Sequence, residues 1–265
     1  MNTITCSLHD ILLARDNGFA LEISDFQLPP QDGMMHNKIP FMGVSGAGKS
    51  TLLNIMAAIE WPQRGTVVWN FPDTPPIRWG VNGPSTSEAR KLRREYFGYA
   101  FQSSTLIPHL RISENLSYPL QFKGYSLKDA HSLALEALEK VLLDEEKQQK
   151  HEFFDRFPAQ LSGGQRQRVA LVQAMIHNPY VLFADEPTGS LDRETRKQVM
   201  QVLYDWVDEP EYRSKRLLLW VTHHENDPRD ADVHHTLNIA SGLYTWTFCG
   251  RNERRTDQRS KDRCL

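Results

Sequence analysis

Three short segments carry residue types and spacings suited to phosphate chemistry. Gly43-Val44-Ser45-Gly46-Ala47-Gly48-Lys49-Ser50 fits G-x-x-x-x-G-K-[ST]. Glycines in that spacing let the backbone wrap around a phosphate and turn successive N–H groups inward. A helix starting near Lys49 adds the positive end of its dipole. Lys49 is then placed to bridge β- and γ-phosphates, and the Ser50 hydroxyl to ligate Mg²⁺. The plainer reading is an ordinary glycine-rich turn. Val181-Leu182-Phe183-Ala184-Asp185-Glu186 is an apolar strand ending in two carboxylates. Asp185 suits Mg²⁺ held through water, and Glu186 suits a general base on the attacking water; strands also end in acids for solubility alone. In Leu161-Ser162-Gly163-Gly164-Gln165, Ser162 and Gln165 form a capping box for the helix that follows. Two glycines in a first helical turn cost about 1 kcal/mol each against alanine. They make sense where something approaches the backbone closely, which makes this helix start a second anion site.

The surrounding pattern supplies elements to position these groups. Residues 3–28 alternate apolar stretches with turns and read as strands, with Phe19 to Ile23 the clearest. Pro29 to Gly33 reads as a turn. Ile39 to Val44 reads as a strand in which Pro40 is tolerable only at the first residues or at an edge. Ser50 to Glu60 has helical spacing and ends at Trp61-Pro62. Residues 70–87 are a loop by composition, and Ser87 to Tyr96 is expected to be helical. Residues 125–150 form the strongest amphipathic helix candidate, started by a Ser126/Asp129 capping box. Beyond residue 160 the order is helix, strand (Val181 to Ala184), helix (Arg193 to Trp206), strand (Leu217 to Val221). Short apolar strands between helices indicate a parallel sheet covered on both faces. The middle third is thus a helical insertion in an α/β core.

Composition narrows the class. The 265 residues are 40% hydrophobic and 24% charged, which is globular. Thirty-one basic side chains face 33 acidic ones, for a net charge of −2, so the basic excess of a nucleic-acid binder is missing. Cys6, Cys249 and Cys264 are too scattered for a disulfide framework or zinc site. No repeat is visible. The longest apolar run, Leu217 to Val221, is far short of the roughly 18 residues of a membrane span. Met1 to Asp10 lacks the pattern of a signal peptide. The expectation is a soluble cytoplasmic protein whose membrane role, if any, comes through a partner chain.

Taken together, these segments resemble the ATP-binding subunit of an ABC transporter. Gly43 to Thr51 resembles the Walker A motif, Leu161 to Gln165 the family signature and Val181 to Glu186 the Walker B motif. Gln102, in Tyr99-Ala100-Phe101-Gln102, matches the Q-loop; Ser190-Leu191-Asp192 matches the D-loop, and His223 the switch histidine. The resemblance covers most of residues 1–245. It implies an α/β fold: a P-loop NTPase core with a parallel sheet, an N-terminal antiparallel β subdomain and a helical insertion at about 103–160, in one domain of residues 1–245, with a basic tail at 246–265. It also implies two subunits, a homodimer, packed head to tail around two Mg-ATP. Gly43, Ser45, Gly46, Ala47, Gly48, Lys49, Ser50 and Thr51 of one subunit would hold an ATP that Ser162, Gly163, Gly164, Gln165 and Asp192 of the other complete. Glu186 would be the base and His223 would contact the γ-phosphate. Gln102 would sense Mg²⁺, with Ser50 and Asp185 as further metal ligands.

A transmembrane partner would dock near Gln102, with Leu106, Ile107, Pro108 and Leu110 as candidates, unless that stretch is local core. This would place the chain on the inner face of the cell membrane; no nucleic acid is expected. Asp185 to Asp192, Leu106-Ile107-Pro108, Glu114-Asn115-Leu116 and Tyr118-Pro119-Leu120 are similar to the lipoprotein-release, macrolide-efflux and cell-division branch. Competing readings are a soluble non-transport ABC ATPase acting on nucleic acid or ribosomes, and a different P-loop enzyme. Three features depart from the family pattern. The adenine-stacking aromatic is not evident, with Phe19 or His9 as candidates and Phe19 equally a core residue. The turn from Gly33 to Lys38 is long, and the loop from Phe71 to Ser85 is unusual. His224, His234 and His235 read as solvated rather than metal-binding.

Overall fold

A computed structural model describes residues 4–16, 18–30, 37–72, 74–189, 191–233, 235–240 and 243–248. The turn at Gln31 to Gly33, most of the Gly33 to Lys38 stretch, Ser190, His234 and the tail from Cys249 lie outside them. The chain divides into two units, residues 1–91 with 210–265 and residues 92–209.

In the first unit an antiparallel sheet is built from β1 (Thr5–Ala14), β2 (Ala20–Leu28), β4 (Arg64–Asn70) and β5 (Ile77–Trp79), in the order β2-β1-β4-β5. The β1–β2 pair runs from Cys6↔Leu28 to Ala14↔Ala20 across a tight turn. Alternate residues Cys6, Leu8, Ile11, Leu13, Leu21, Ile23 and Phe26 are buried, the period-two signal of a sheet with one face on the core. β5 lies inside the stretch read as loop: Ile77 and Trp79 are buried and Arg78 is exposed, an alternation that the surrounding prolines and glycines obscure.

The same unit holds β3 (Lys38–Met42) between β8 (Leu217–Val221) and β9 (His235–Ala240), parallel to both, and β9 pairs antiparallel with β10 (Leu243–Phe248). Pro40 thus sits in mid-strand with a neighbour on each side. Phe41 C=O accepts from Thr222 N–H on the β8 side. Pro40 therefore turns its missing donor the other way, where pairing with β9 begins only at Phe41. α1 (Lys49–Met56) follows β3 and buries Leu52, Leu53, Ile55 and Met56; Trp69 Nε1 donates to Met56 C=O at 2.9 Å. α2 (Thr86–Lys91) and α9 (Asp227–Asp230) are short.

In the second unit β6 (Phe97–Ala100) pairs in parallel with β7 (Val181–Asp185). Four helices cover 103–160: α3 (Ile112–Phe122), α4 (Leu127–Glu139), α5 (Asp144–Lys147) and α6 (Lys150–Asp155). They pack with α7 (Gly163–Met175) around Leu116, Leu138, Phe153, Phe154 and Val169. α8 (Arg193–Asp208) follows β7. The single helix expected over 125–150 is three, because its apolar periodicity stops at Leu142 and the chain turns there. Ser126 caps α4 as expected, its hydroxyl accepting from Asp129 N–H. Gly98 of β6 has no room for a β-carbon, which would come within 2.1 Å of Ala174 C=O. The observed class is α/β, with parallel strands, an antiparallel N-terminal sheet and flanking helices. No helix of the described residues is long and apolar enough to cross a membrane.

Candidate functional site

The phosphate loop leaves β3 and enters α1. Gly43, Gly46 and Gly48 have φ of 133°, 78° and 100°, the left-handed region that only glycine enters cheaply. At Gly43 a β-carbon would also collide with Ile239 C=O at 2.0 Å. Gly48 is the N-cap of α1 and supplies no side-chain cap, so the helix start is shaped for an external anion. Lys49 is buried, and its ammonium donates to Gly43 and Val44 C=O at 2.9 and 2.8 Å. Ser45 and Gly46 are exposed, Ala47 is buried, Ser50 is half-buried and Thr51 is buried in the first turn of α1.

His223 reaches the same strand edge. Phe41 of β3 stands opposite Val221 of the parallel β8, so Gly43 and His223 each lie two residues past a paired position. The loop carrying His223 is fixed by buried Thr222, whose hydroxyl donates to the buried Asp227 carboxylate and accepts from His224 N–H at 3.0 Å. Sequence reasoning missed Asp227; an acid at the start of a four-residue helix carries no recognisable signal. Phe19 lies outside β2, half-buried, with ring carbons 3.2 and 3.5 Å from where a β-carbon on Gly48 would sit. It therefore flanks the phosphate loop, whereas His9 is held by Asp25 at 2.6 Å on the antiparallel sheet.

In the second unit the β6–β7 register does the same for the acidic group. Ala100 pairs with Ala184, so Gln102 and the Asp185-Glu186 pair leave the same edge. Gln102 Nε2 lies 3.4 Å from Glu186 Oε2, a long contact, and both approach Gly189. Glu186 has φ of 45°, an unfavourable backbone state for a residue with a β-carbon. Such strain is held by surrounding structure and recurs at sites of chemistry. The Asp185 carboxylate is close enough to add to burial in raising the Tyr99 phenol pKa.

At the start of α7, Ser162 Oγ accepts from Gln165 N–H at 3.2 Å and Gln165 Oε1 accepts from Ser162 N–H at 2.8 Å, which is the expected capping box. Asp192 caps α8, accepting from Glu194 and Thr195 N–H at 3.0 Å and from the Thr195 hydroxyl at 2.6 Å; these bonds hold its carboxyl below the usual range.

The family model described as ABC transporter matches residues 34–189. The lipoprotein-releasing system ATP-binding protein LolD of Treponema denticola is 34% identical over 76% of this chain and 80% of its own. The macrolide export ATP-binding/permease protein MacB of Marinobacter nauticus is 34% identical over 77% of this chain and 28% of its own. The solved dimeric cassette MJ0796, whose sequence is from Methanocaldococcus jannaschii, superposes with a TM-score of 0.70 at 31% identity, over 89% of this chain and 95% of that one. A second structure of that cassette is a post-hydrolysis state bound to ADP and Pi. This chain belongs to the ABC transporter family. It is an ATP-binding, ATP-hydrolysing chain with the α/β P-loop NTPase fold of the cassette.

Within this ABC cassette chain the two signature glycines have different physical reasons. Gly164 is buried, and a β-carbon there would meet Thr195 Cγ2 at 2.3 Å. Thr195 cannot easily yield, being tied to Asp192. Gly163 is exposed and its β-carbon would only touch Leu191 at 3.9 Å. Gly164→Ala is therefore expected to lose about 1–3 kcal/mol by overpacking, and Gly163→Ala to keep or slightly raise stability. Urea unfolding of both variants measures this. Equal losses would overturn the distinction.

Proposed function

We propose that the chain dimerises around two Mg-ATP and drives a transmembrane partner. One observation carries this reading: the chain has two helix starts suited to phosphate, α1 behind the exposed Ser45-Gly46 tip of its loop and α7 with Ser162-Gly163 exposed, each on a different unit. Two such starts serve one ATP each when the second acts on a neighbouring subunit's nucleotide. The dimeric state of the MJ0796 cassette supports it.

In each composite site, the Gly43 to Thr51 loop wraps the phosphates and Lys49 leaves its loop carbonyls for the β- and γ-phosphate oxygens. Ser162 and Gly163 of the other subunit close over the γ-phosphate, with Gln165 and Asp192 alongside, while Gly164 packs on Thr195 of its own chain. Glu186 takes a proton from the attacking water; His223 donates to the γ-phosphate, and Gln102 orients the water. The Ser50 hydroxyl, the Gln102 amide oxygen and the Asp185 carboxylate are each hard oxygen donors that would suit Mg²⁺ completed by phosphates and water. No cluster of three or more His, Cys, Asp or Glu forms an all-protein cage among the described residues. When bound, Mg²⁺ neutralises charge on the β- and γ-phosphate oxygens. The position of Phe19 beside Gly48 supports it as the residue that stacks on the adenine.

For the membrane partner, a groove of about 550 Å³ opens along α3 and α4, lined by Leu110, Tyr118 and Leu127. Tyr118, Phe122 and Leu127 are 46, 67 and 73% exposed, a large apolar group for a free surface. Leu106, by contrast, belongs to the core. Buried Asn115 pins the intervening turn, accepting from Ile107 N–H at 2.7 Å and donating to Ile107 and Leu110 C=O. The fusion of ATP-binding and permease functions in MacB supports a membrane partner, and with it a place at the cytoplasmic face of the membrane.

The test is the solution mass of Glu186→Gln with and without Mg-ATP, by light scattering on a sizing column. A monomer that becomes a dimer only with Mg-ATP is expected. A monomer under both conditions, with ATP binding confirmed separately, overturns the sandwich of two copies.

A further inference from the structure

We propose that Glu146, on the one-turn helix α5, is a positioning residue for the signature serine. This rests on the reading above, in which Ser162 completes a neighbouring subunit's ATP site. The Glu146 carboxylate faces three donor groups, from Arg168, Gln165 and Leu143. Its two oxygens accept from Arg168 Nη2 at 2.7 and 2.8 Å, from Gln165 Nε2 at 2.9 Å and from Leu143 N–H at 2.8 Å. The pair is shielded from water, with side-chain exposures of 5% for Arg168 and 14% for Glu146. Arg168 also donates to Gln198 Oε1 of α8 at 3.1 Å.

The consequence runs through one amide. Gln165 has an oxygen end and a nitrogen end, and only the nitrogen can donate. A carboxylate on one side therefore fixes which way the amide faces. With Nε2 on Glu146, Oε1 must face Ser162, where it holds the serine's backbone N–H at 2.8 Å. Ser162 is thereby locked at φ −63°, ψ 166°, with its hydroxyl over the helix start. Remove the carboxylate and the amide is free to turn. The Ser162 N–H then loses its acceptor, and the exposed serine loses its fixed direction. Glu146 thus links the segment between α4 and α6 to the group that contacts ATP, although it touches no nucleotide itself.

Deleting Glu146 alone leaves Arg168 buried and uncompensated, which endangers folding. The informative variant is Glu146→Leu with Arg168→Met, which replaces the ion pair by apolar side chains of similar size. It is expected to fold and to bind ATP as a monomer with unchanged affinity. Its kcat is expected to fall about tenfold. In the Glu186→Gln background its ATP-driven dimer should need about tenfold more ATP. Glu146→Gln with Arg168→Met, which keeps an oxygen for Gln165 Nε2 without stranding a buried cation, should recover most of both.

A Glu146→Leu/Arg168→Met variant with parental kcat and dimerisation overturns the proposal, provided that Ser162→Arg, assayed alongside, abolishes both. If Ser162→Arg also leaves dimerisation intact, the trans-acting signature itself fails. If Glu146→Gln/Arg168→Met does no better than Glu146→Leu/Arg168→Met, the loss belongs to the ion pair, and the route through Gln165 is overturned.

Discussion

Glu186→Gln is expected to lower ATP turnover by at least about 10² while leaving ATP binding intact. The substitution keeps the volume and the hydrogen-bonding reach of the side chain and removes its basicity. A positioned general base is worth about 10² to 10⁴ in rate, or roughly 3 to 5 kcal/mol of barrier. The local geometry concentrates that role on one residue. Glu186 follows the last residue of β7, with φ of 45°, and its Oε2 faces the Gln102 amide beside Gly189. Asp185 instead borders the half-buried Tyr99. Steady-state phosphate release and equilibrium nucleotide binding on the same preparation separate the two effects. Turnover within threefold of the parent would remove Glu186 as the base.

What could be seen beforehand follows from where the physics is local. The phosphate loop was legible because three glycines must enter a backbone region that other residues enter only at a cost, and that requirement writes itself into eight consecutive positions. The Ser162–Gln165 box and the Ser126 cap were legible because each is a bond between residues three apart. β8 was legible from its unbroken apolar run, since all five residues are buried.

The rest depends on partners distant in sequence. Gly98 signals a strand only once Ala174 C=O is known to press on it. β4 begins beside Gly65, where a β-carbon would meet His9 and Asp10 C=O within 2.6 Å, so the glycine that argues against a strand is what lets two strands approach. Gly164 was read as an opening for a ligand, yet its neighbour is Thr195 of the same chain; only Gly163 keeps the original reason. Glu146 lies in an acidic and basic run that looks like a solvated face. Its burial against Arg168 emerges only because the chain turns after Leu142 and brings α5 to α7. Asp227 and Asn115 are likewise invisible until the loops they fix are in place.

Ser162→Arg is expected to abolish hydrolysis while the monomer still binds ATP with parental affinity. Losing the cap bond to Gln165 N–H costs about 1 kcal/mol of stability, too little to unfold a cassette of this size. Loss of a preorganised donor at the reacting phosphate costs about 10² to 10³ in rate, and a bulky cation at the exposed α7 start adds a steric block to dimer closure. The effect on catalysis should therefore exceed the effect on stability by a wide margin. A mixing experiment isolates its origin. Lys49→Ala damages the phosphate loop and keeps the signature; Ser162→Arg does the opposite. Each is expected to be inactive alone. In an equimolar mixture, the heterodimer has one composite site with both defects and one with neither, and hydrolysis should return. No recovery in the mixture, or an ATP affinity of monomeric Ser162→Arg that falls as far as its turnover, would place Ser162 in its own subunit's site and end the trans assignment.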